Sequence, residues 1–127
     1  METANDNVNH PKHYESLFVS KPLECIHISR TLPFSLGNAV KYIWRAGNKD
    51  HDKLREDLEK ALWYLEDFHM HPQSVDYGRA EAVWSACLGD FPKDDVNKLK
   101  CMILQEIVTG YNETAITRLV GWLENLK

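Results

Sequence analysis

Apolar side chains recur every three or four residues along most of this chain, which is the spacing of one face of an α-helix. The clearest stripe lies within residues 54–68, and others follow within residues 96–107 and 116–126. No segment alternates apolar and polar residues as a half-buried strand does. The first 22 residues have little periodicity and contain Pro11 and Pro22. The pattern predicts an all-α fold: a compact bundle of five to six helices behind an extended N-terminal segment.

Turn and capping residues predict where these helices begin and end. A first helix is expected to begin near Pro22, and Pro33 stops it. Gly47 ends the second helix, and Pro72 breaks the third, which spans roughly residues 52–69. The predicted N-terminal caps are, in chain order, Ser35, Asp50 or Asp52, Ser74, Asp94 or Asp95, and Asn112.

The second predicted helix has two faces of different chemistry. One face is apolar, and the other carries cations and amides without a carboxylate among them. A solvated helix face normally mixes both signs, because opposite charges four residues apart stabilise it. Cations and amides alone suit a bound anion, most simply the phosphates of a nucleotide. We call this set the basic face: Asn38, Lys41, Arg45, Asn48 and Lys49.

The short connection after the basic face predicts that the third helix packs back against it, nearly antiparallel. Asp57, Lys60 and Tyr64 recur on the near flank of that helix at i, i+3 and i+7. Asp57 lies nearest the apolar stripe, so we expect it to be partly buried and to need a cationic partner. The expected partners are Lys41 and Arg45.

The N-terminal segment NHPKHY is dense in polar recognition groups. His10, Lys12, His13 and Tyr14 could cap a phosphate or stack on a base. The alternative interpretation is a solvated tail whose histidines are accidental. His10 and His13 also have a spacing suited to metal, but no cysteine or carboxylate cluster completes such a site, so no metal ligand is predicted.

Aromatic residues divide between core and surface. Phe68 and Trp122 lie on or near helical stripes and are predicted to be core, whereas Trp44 and Trp63 lie off the stripes of their helices. These two would pack against a second subunit or against the C-terminal helices, and exposed tryptophans on adjacent helices favour a homo-oligomer. Tyr42 lies on the edge of the basic face, where it could stack on a base.

The composition and charge of the chain limit the classes of ligand and partner that it is expected to bind. The chain has 127 residues and a net charge of −4. Residues 1–49 hold six Lys/Arg and four Asp/Glu, and the remainder holds nine and fifteen. An acidic body with a local basic surface argues against duplex DNA and favours a small anionic ligand. No apolar run is long enough to cross a bilayer, so no membrane partner is expected. Three widely spaced cysteines favour a reduced, cytoplasmic protein.

Other nucleotide chemistries have weaker support. Glu56 and Glu59 stand three apart on a helix, like the paired carboxylates that hold magnesium in all-α nucleotide pyrophosphatases. Both project away from the apolar stripe, so a solvated face is the favoured interpretation. No Gly-x-x-x-x-Gly-Lys-Ser/Thr loop is present.

The segments VNHPKHY, LECI, GNAVKYIWRAGNK and DLEKALWYL together resemble a small family of phage proteins of mostly unknown function, which includes a nucleotide kinase without a Walker motif. The resemblance covers about residues 8–68. Within a single domain, 1–127, this part would be the nucleotide-binding core, and residues 73–127 a C-terminal helical elaboration.

The resemblance implies nucleotide binding in the cytoplasm of a phage-infected bacterium, with phosphoryl transfer between deoxynucleotides. No cofactor is expected, and magnesium is possible only if the protein is an enzyme. A non-catalytic sponge for nucleotide-derived immune signals, such as cyclic dinucleotides, is the alternative, and a metal-dependent nucleotide pyrophosphatase is the third. The resemblance implies that Lys41, Arg45 and Lys49 bind phosphates and that His10 or His13 donates a hydrogen bond to a phosphate oxygen. It also implies that Tyr14 or Tyr42 stacks on the base. Asp57 would orient Arg45 or accept a hydrogen bond from a sugar or base.

Overall fold

The computed structural model of the protein describes residues 24–48, 53–88 and 92–126. Within these ranges the chain forms helices and no strand, so the predicted all-α fold of five to six helices is confirmed. The predicted extended N-terminal segment lies outside the described residues. None of the helices described is both long and apolar enough to span a bilayer. The helices are α1 (Cys25–Ser29), α2 (Phe34–Arg45), α3 (Leu54–Met70), α4 (Tyr77–Leu88), α5 (Asp95–Val108) and α6 (Asn112–Glu124).

The beginning of α2 differs from the prediction. Ser35 is not its cap: Pro33 occupies the cap position, and the helix begins at Phe34. Proline suits this place because its fixed φ is compatible with entry into a helix and it has no N–H to satisfy. The Ser35 hydroxyl instead donates to Asp67 of α3 and joins the two helices.

Two other predicted caps are also wrong, and one is confirmed. Ser74 does not begin α4, because Asp76 Oδ1 accepts from the N–H of Arg79 (3.0 Å) just before the helix. Asn112 is the first residue of α6 and not its cap. Asp94 caps α5 and accepts from the Asn97 N–H at 2.9 Å. Asp50 and Asp52, the predicted caps of α3, lie outside the described residues.

Helix α2 packs against α1, α3 and α5. Gly37 allows the close approach of α1, since a Cβ there would lie 3.1 Å from the Ser29 carbonyl oxygen. Gly47 follows the helix with φ 77°, a left-handed conformation that favours glycine and ends α2 as predicted. One buried cluster draws side chains from all six helices. The basic face is therefore carried by a helix held from several sides.

Of the two packing partners predicted for Trp44, a second subunit or the C-terminal helices, the structure shows the C-terminal helices. Trp44 is fully buried and meets Trp84 of α4 edge to face, with ring centroids 6.4 Å apart. It therefore packs against the C-terminal helices, as the second alternative holds. A helix packed from several sides buries more than one stripe, which is why the single apolar stripe understated the core. Trp63 is exposed, and Phe68 is buried as predicted.

Candidate functional site

The side chains predicted on α2 and on the flank of α3 come together at the contact between these helices. Lys41, Tyr42 and Arg45 come from α2, and Asp57, Lys60 and Tyr64 come from α3. Their spacing along each helix places them on one side of it, so one helix-helix contact assembles the set. We call these six residues the basic-aromatic cluster.

The ring of Tyr42 is the centre of this cluster. Lys41 Nζ lies 5.2 Å from the ring centroid, Lys60 Nζ 5.4 Å and Arg45 Cζ 5.9 Å. The electron-rich face of an aromatic ring attracts cations within about 6 Å. Tyr64 lies parallel to Tyr42, with centroids 6.0 Å apart and ring planes 9° from one another. Three positive charges on two helices thus surround one phenol ring.

Asp57 is 6% exposed and pairs with Arg45, with Oδ1 3.7 Å from Nε. This confirms the predicted partial burial and identifies Arg45 as its partner. Burial raises the pKa of Asp57, and the nearby charges of Arg45 and Lys60 oppose that shift. At 3.7 Å the contact is too long for a hydrogen bond. The buried Arg45 Nε–H therefore has no acceptor within the described part of the chain.

Lys60 also pairs with Glu56 one turn earlier, at 2.9 Å. This hydrogen bond is the main reason that the pKa of Glu56 is lowered, with further help from the charge of Lys53. Glu59 pairs instead with Arg55 at 3.8 Å. All four of these paired side chains are about half exposed, so the predicted solvated face is confirmed. Glu56 nevertheless competes for a cation of the cluster, which the sequence reasoning did not anticipate.

The two amides of the basic face do not join the cluster's ring contacts. Asn38 Nδ2 donates to the Phe34 carbonyl oxygen (2.9 Å), and Asn48 Nδ2 donates to that of Trp44 (2.9 Å). Both bonds lie within α2 or at its end, so these amides satisfy the helix backbone. The remaining candidate residues lie outside the described ranges: His10, Lys12, His13, Tyr14 and Lys49.

Sequence reasoning missed Lys100. Its side chain is fully buried, and Nζ donates to the Trp44 carbonyl oxygen (2.9 Å) and to Asn48 Oδ1 (3.1 Å). Burial lowers the pKa of Lys100 to about 8. The sequence contained a signal, because Lys100 lies three residues before Ile103, on the apolar stripe of α5. A lysine on such a stripe must be buried or reach solvent along its stem.

The cluster's chemistry is the binding of an anion next to aromatic surface. The ammonium groups of the partly exposed Lys41 and the exposed Lys60 and the partly exposed guanidinium of Arg45 supply positive charge, and two tyrosine rings lie beside them. No group of three or more His, Cys, Asp or Glu within the described ranges is arranged to hold a metal ion.

Residues 8–66 match the model of a protein family of unknown function, DUF3310. The matched region ends within α3 and contains all six residues of the basic-aromatic cluster. No curated protein and no solved structure matches the chain. The match supports the resemblance to a family of unknown function. The phage nucleotide kinase within that resemblance stays a prediction.

Proposed function

We propose that this protein binds a nucleotide at the basic-aromatic cluster and, as the resemblance implies, transfers a phosphoryl group to a nucleoside monophosphate. The convergence of Lys41, Arg45 and Lys60 on one tyrosine ring carries the proposal. A nucleotide combines a multiply charged phosphate with a flat aromatic base. The cluster offers the complement of each within a single helix-helix contact.

The three cations bind the phosphates. Lys60 would exchange Glu56 for a phosphate oxygen. The exchange costs little, because an exposed and solvated lysine-glutamate pair contributes little to stability and a phosphate carries more negative charge than one carboxylate. Arg45 supplies the positive charge of its guanidinium, whose side chain is 26% exposed. Asp57 fixes the direction of the Arg45 guanidinium through their ion pair.

The tyrosine rings bind the base. Tyr42 and Tyr64 form a parallel pair beside the cations, and both are half-buried, so their positions are fixed by packing. A base placed against this pair keeps its 5′ phosphate within reach of Lys41 and Lys60. The same cations neutralise the charge that spreads over a transferring phosphoryl group. Magnesium would enter as part of the donor triphosphate substrate.

A non-catalytic receptor that sequesters nucleotide-derived signals is the second candidate. One observation favours it: the cluster's own carboxylate, Asp57, is buried and faces Arg45. In that position it serves the anion-binding groups and does not face an incoming hydroxyl or phosphate nucleophile. The same cations and rings would then hold the ligand without converting it.

The test is to incubate the protein with magnesium ATP and each deoxynucleoside monophosphate. The protein is then separated, denatured, and its bound and free nucleotides are identified by mass. We expect a nucleoside diphosphate product. Lys41→Ala and Lys60→Ala should each lower the rate or the affinity roughly 10- to 100-fold. Lys98→Ala is the matched control, because Lys98 is an exposed lysine of α5 outside the cluster.

Two other results are informative. A cyclic dinucleotide that is retained intact, without turnover of any mononucleotide, would replace the kinase with the receptor. If no nucleotide is retained or altered, the proposed function is wrong. The same conclusion holds if binding survives unchanged when Lys41 and Lys60 are both replaced.

A further inference from the structure

We infer that the exposed rings of Phe34 and Trp63, next to Tyr64, stack a second base, so that the ligand is two nucleotides joined through phosphate. This inference rests on the proposed function, because it places the first nucleotide at the basic-aromatic cluster. It adds the class of ligand and favours the second candidate, the non-catalytic receptor, over the kinase: a dinucleotide or a short single strand is bound in preference to a mononucleotide.

The aromatic surface continues from the cluster without interruption. Tyr64, which is parallel to Tyr42, also meets Trp63 edge to face at 5.1 Å and Phe34 edge to face at 6.1 Å, measured between ring centroids. Phe34 is 75% exposed and Trp63 61% exposed. Four rings therefore form one series, with the cations at one end and the two most exposed rings at the other.

The exposure of these two rings contrasts with the burial of the aromatic side chains of the core. Trp44 and Trp84 are fully buried, and Phe68 is nearly so. Exposed apolar residues that adjoin one another mark interaction surfaces. A stacked base covers such a ring at little loss of side-chain freedom, because the rings are already held against Tyr64.

Charge identifies the occupant of this surface. Lys60 precedes Trp63 by three residues and Tyr64 by four, so these side chains share one face of α3. A phosphate bound at Lys60 is thereby flanked by aromatic surface. Cations that follow a backbone beside rings that stack its bases are the usual features of single-strand recognition. An apolar protein partner would offer no negative charge to Lys41 or Lys60, whereas a phosphate offers it to both.

The test compares two ligands that differ by one base. The first is 5′-phosphorylated dithymidylate, and the second is the same molecule without its 3′-terminal base, so that both carry the same phosphates. We expect the intact dinucleotide to bind about tenfold more tightly, which is the lower range for stacking one base. Trp63→Ala and Phe34→Ala should reduce this ratio towards one, whereas Trp63→Phe should keep it.

Tyr111→Ala is the control, because Tyr111 is 65% exposed and belongs to the segment before α6. It should leave the ratio unchanged. Quenching of tryptophan fluorescence by the intact dinucleotide should disappear in Trp63→Phe, although the affinity remains. Trp44 and Trp84 are buried and should not contribute to that quenching.

Equal affinity for the two ligands would overturn the inference, as would a ratio that persists in both alanine variants. If these variants change the sedimentation of the protein and not the ratio, the rings are an interface between copies of this chain, and the inference is wrong. Failure of every phosphorylated ligand to bind would overturn the proposed function itself. If the intact dinucleotide binds more tightly, as expected, the affinities for octathymidylate and for a cyclic dinucleotide are compared. The tighter of the two shows whether the natural ligand is a single strand or a signalling molecule.

Discussion

Two groups of positive charge contact helix α2, and they differ in their exposure to solvent. In the basic-aromatic cluster, Lys60 is 47% exposed and pairs with an exposed carboxylate. Lys100 is fully buried and donates to a main-chain carbonyl and a side-chain amide. An exposed cation can exchange its partner for a ligand, whereas a buried one cannot leave its acceptors without unfolding part of the chain. The same charge therefore serves binding at one site and architecture at the other.

Lys100 stabilises the C-terminal end of α2 through its hydrogen bonds. The Trp44 carbonyl is one of the last four of that helix, and these carbonyls receive no hydrogen bond from a backbone N–H of the helix itself. A cation at this end also interacts favourably with the helix dipole. Asn48 donates to the same carbonyl and accepts from Lys100. These contacts hold the last turn of α2, which carries Arg45. The buried Lys100 therefore helps to position a residue of the basic-aromatic cluster.

The largest expected effect on stability separates a buried tryptophan from an exposed one. Trp44→Ala should lower the free energy of unfolding by about 3–5 kcal/mol, because it removes a fully buried ring from the core. Trp63→Ala should change it by no more than about 0.5 kcal/mol, since its ring is exposed. Urea unfolding followed by circular dichroism measures both. Equal losses would show that Trp63 is covered in solution and would remove the contrast between core and surface.

The second effect is the dependence of the free energy of unfolding on pH that the burial of Lys100 causes. Burial lowers its pKa from 10.5 to about 8. Between these values the unfolded chain holds a proton that the folded chain has released, so the free energy of unfolding rises with pH. The destabilisation is fully present below about pH 8 and disappears as the pH passes 10.5. Over this range the free energy of unfolding changes by about 3 kcal/mol through Lys100.

Lys100→Met isolates this contribution, because the other titrating groups are common to both proteins. The stability of the wild type relative to this variant should increase from pH 7.5 to pH 10. A difference that stays constant with pH would mean that the ammonium of Lys100 is as well solvated in the fold as in the unfolded chain. The comparison between the exposed and buried cations would then fail.

The smallest effect concerns Glu56. Glu56→Gln should strengthen nucleotide binding about two- to fivefold, because it removes the carboxylate that competes with phosphate for Lys60. Glu59→Gln is the matched control, since Glu59 pairs with Arg55. Titration calorimetry with a nucleoside monophosphate measures both. If both substitutions abolish a magnesium-dependent hydrolysis, the carboxylates hold metal and the pyrophosphatase is the correct function.

Much of the cluster could be predicted from local spacing. Lys41 and Arg45 lie four apart, and Asp57, Lys60 and Tyr64 follow at three and four, so each set shares a helix face whatever surrounds it. A short connection between the two helices is sufficient to bring the sets together. The need of Asp57 for a cationic partner, Lys41 or Arg45, followed from its expected burial beside an apolar stripe, and the structure identifies Arg45.

The errors and the open alternatives arose where a residue's partner comes from a distant part of the chain. Ser35 resembled a helix cap, but its hydroxyl reaches Asp67, which lies 32 residues away. For Trp44 the sequence left two partners open, a second subunit or the C-terminal helices, and only the contact with Trp84 of α4 decides between them. A local pattern contains no information on which helix covers a second face. Prediction of these contacts requires the packing arrangement.

The amino-acid sequence was sufficient to predict a helical fold, the basic face of α2 with its neighbouring flank of α3, and the need of Asp57 for a cation. Those properties follow from periodicity and from the cost of an unpaired buried charge. The packing of the helices was required to show that three cations surround Tyr42, that Lys100 is buried under α2, and that Phe34 and Trp63 remain exposed beside Tyr64. The reason is that exposure and distance depend on how helices pack, and the packing is set by contacts between residues far apart in the chain.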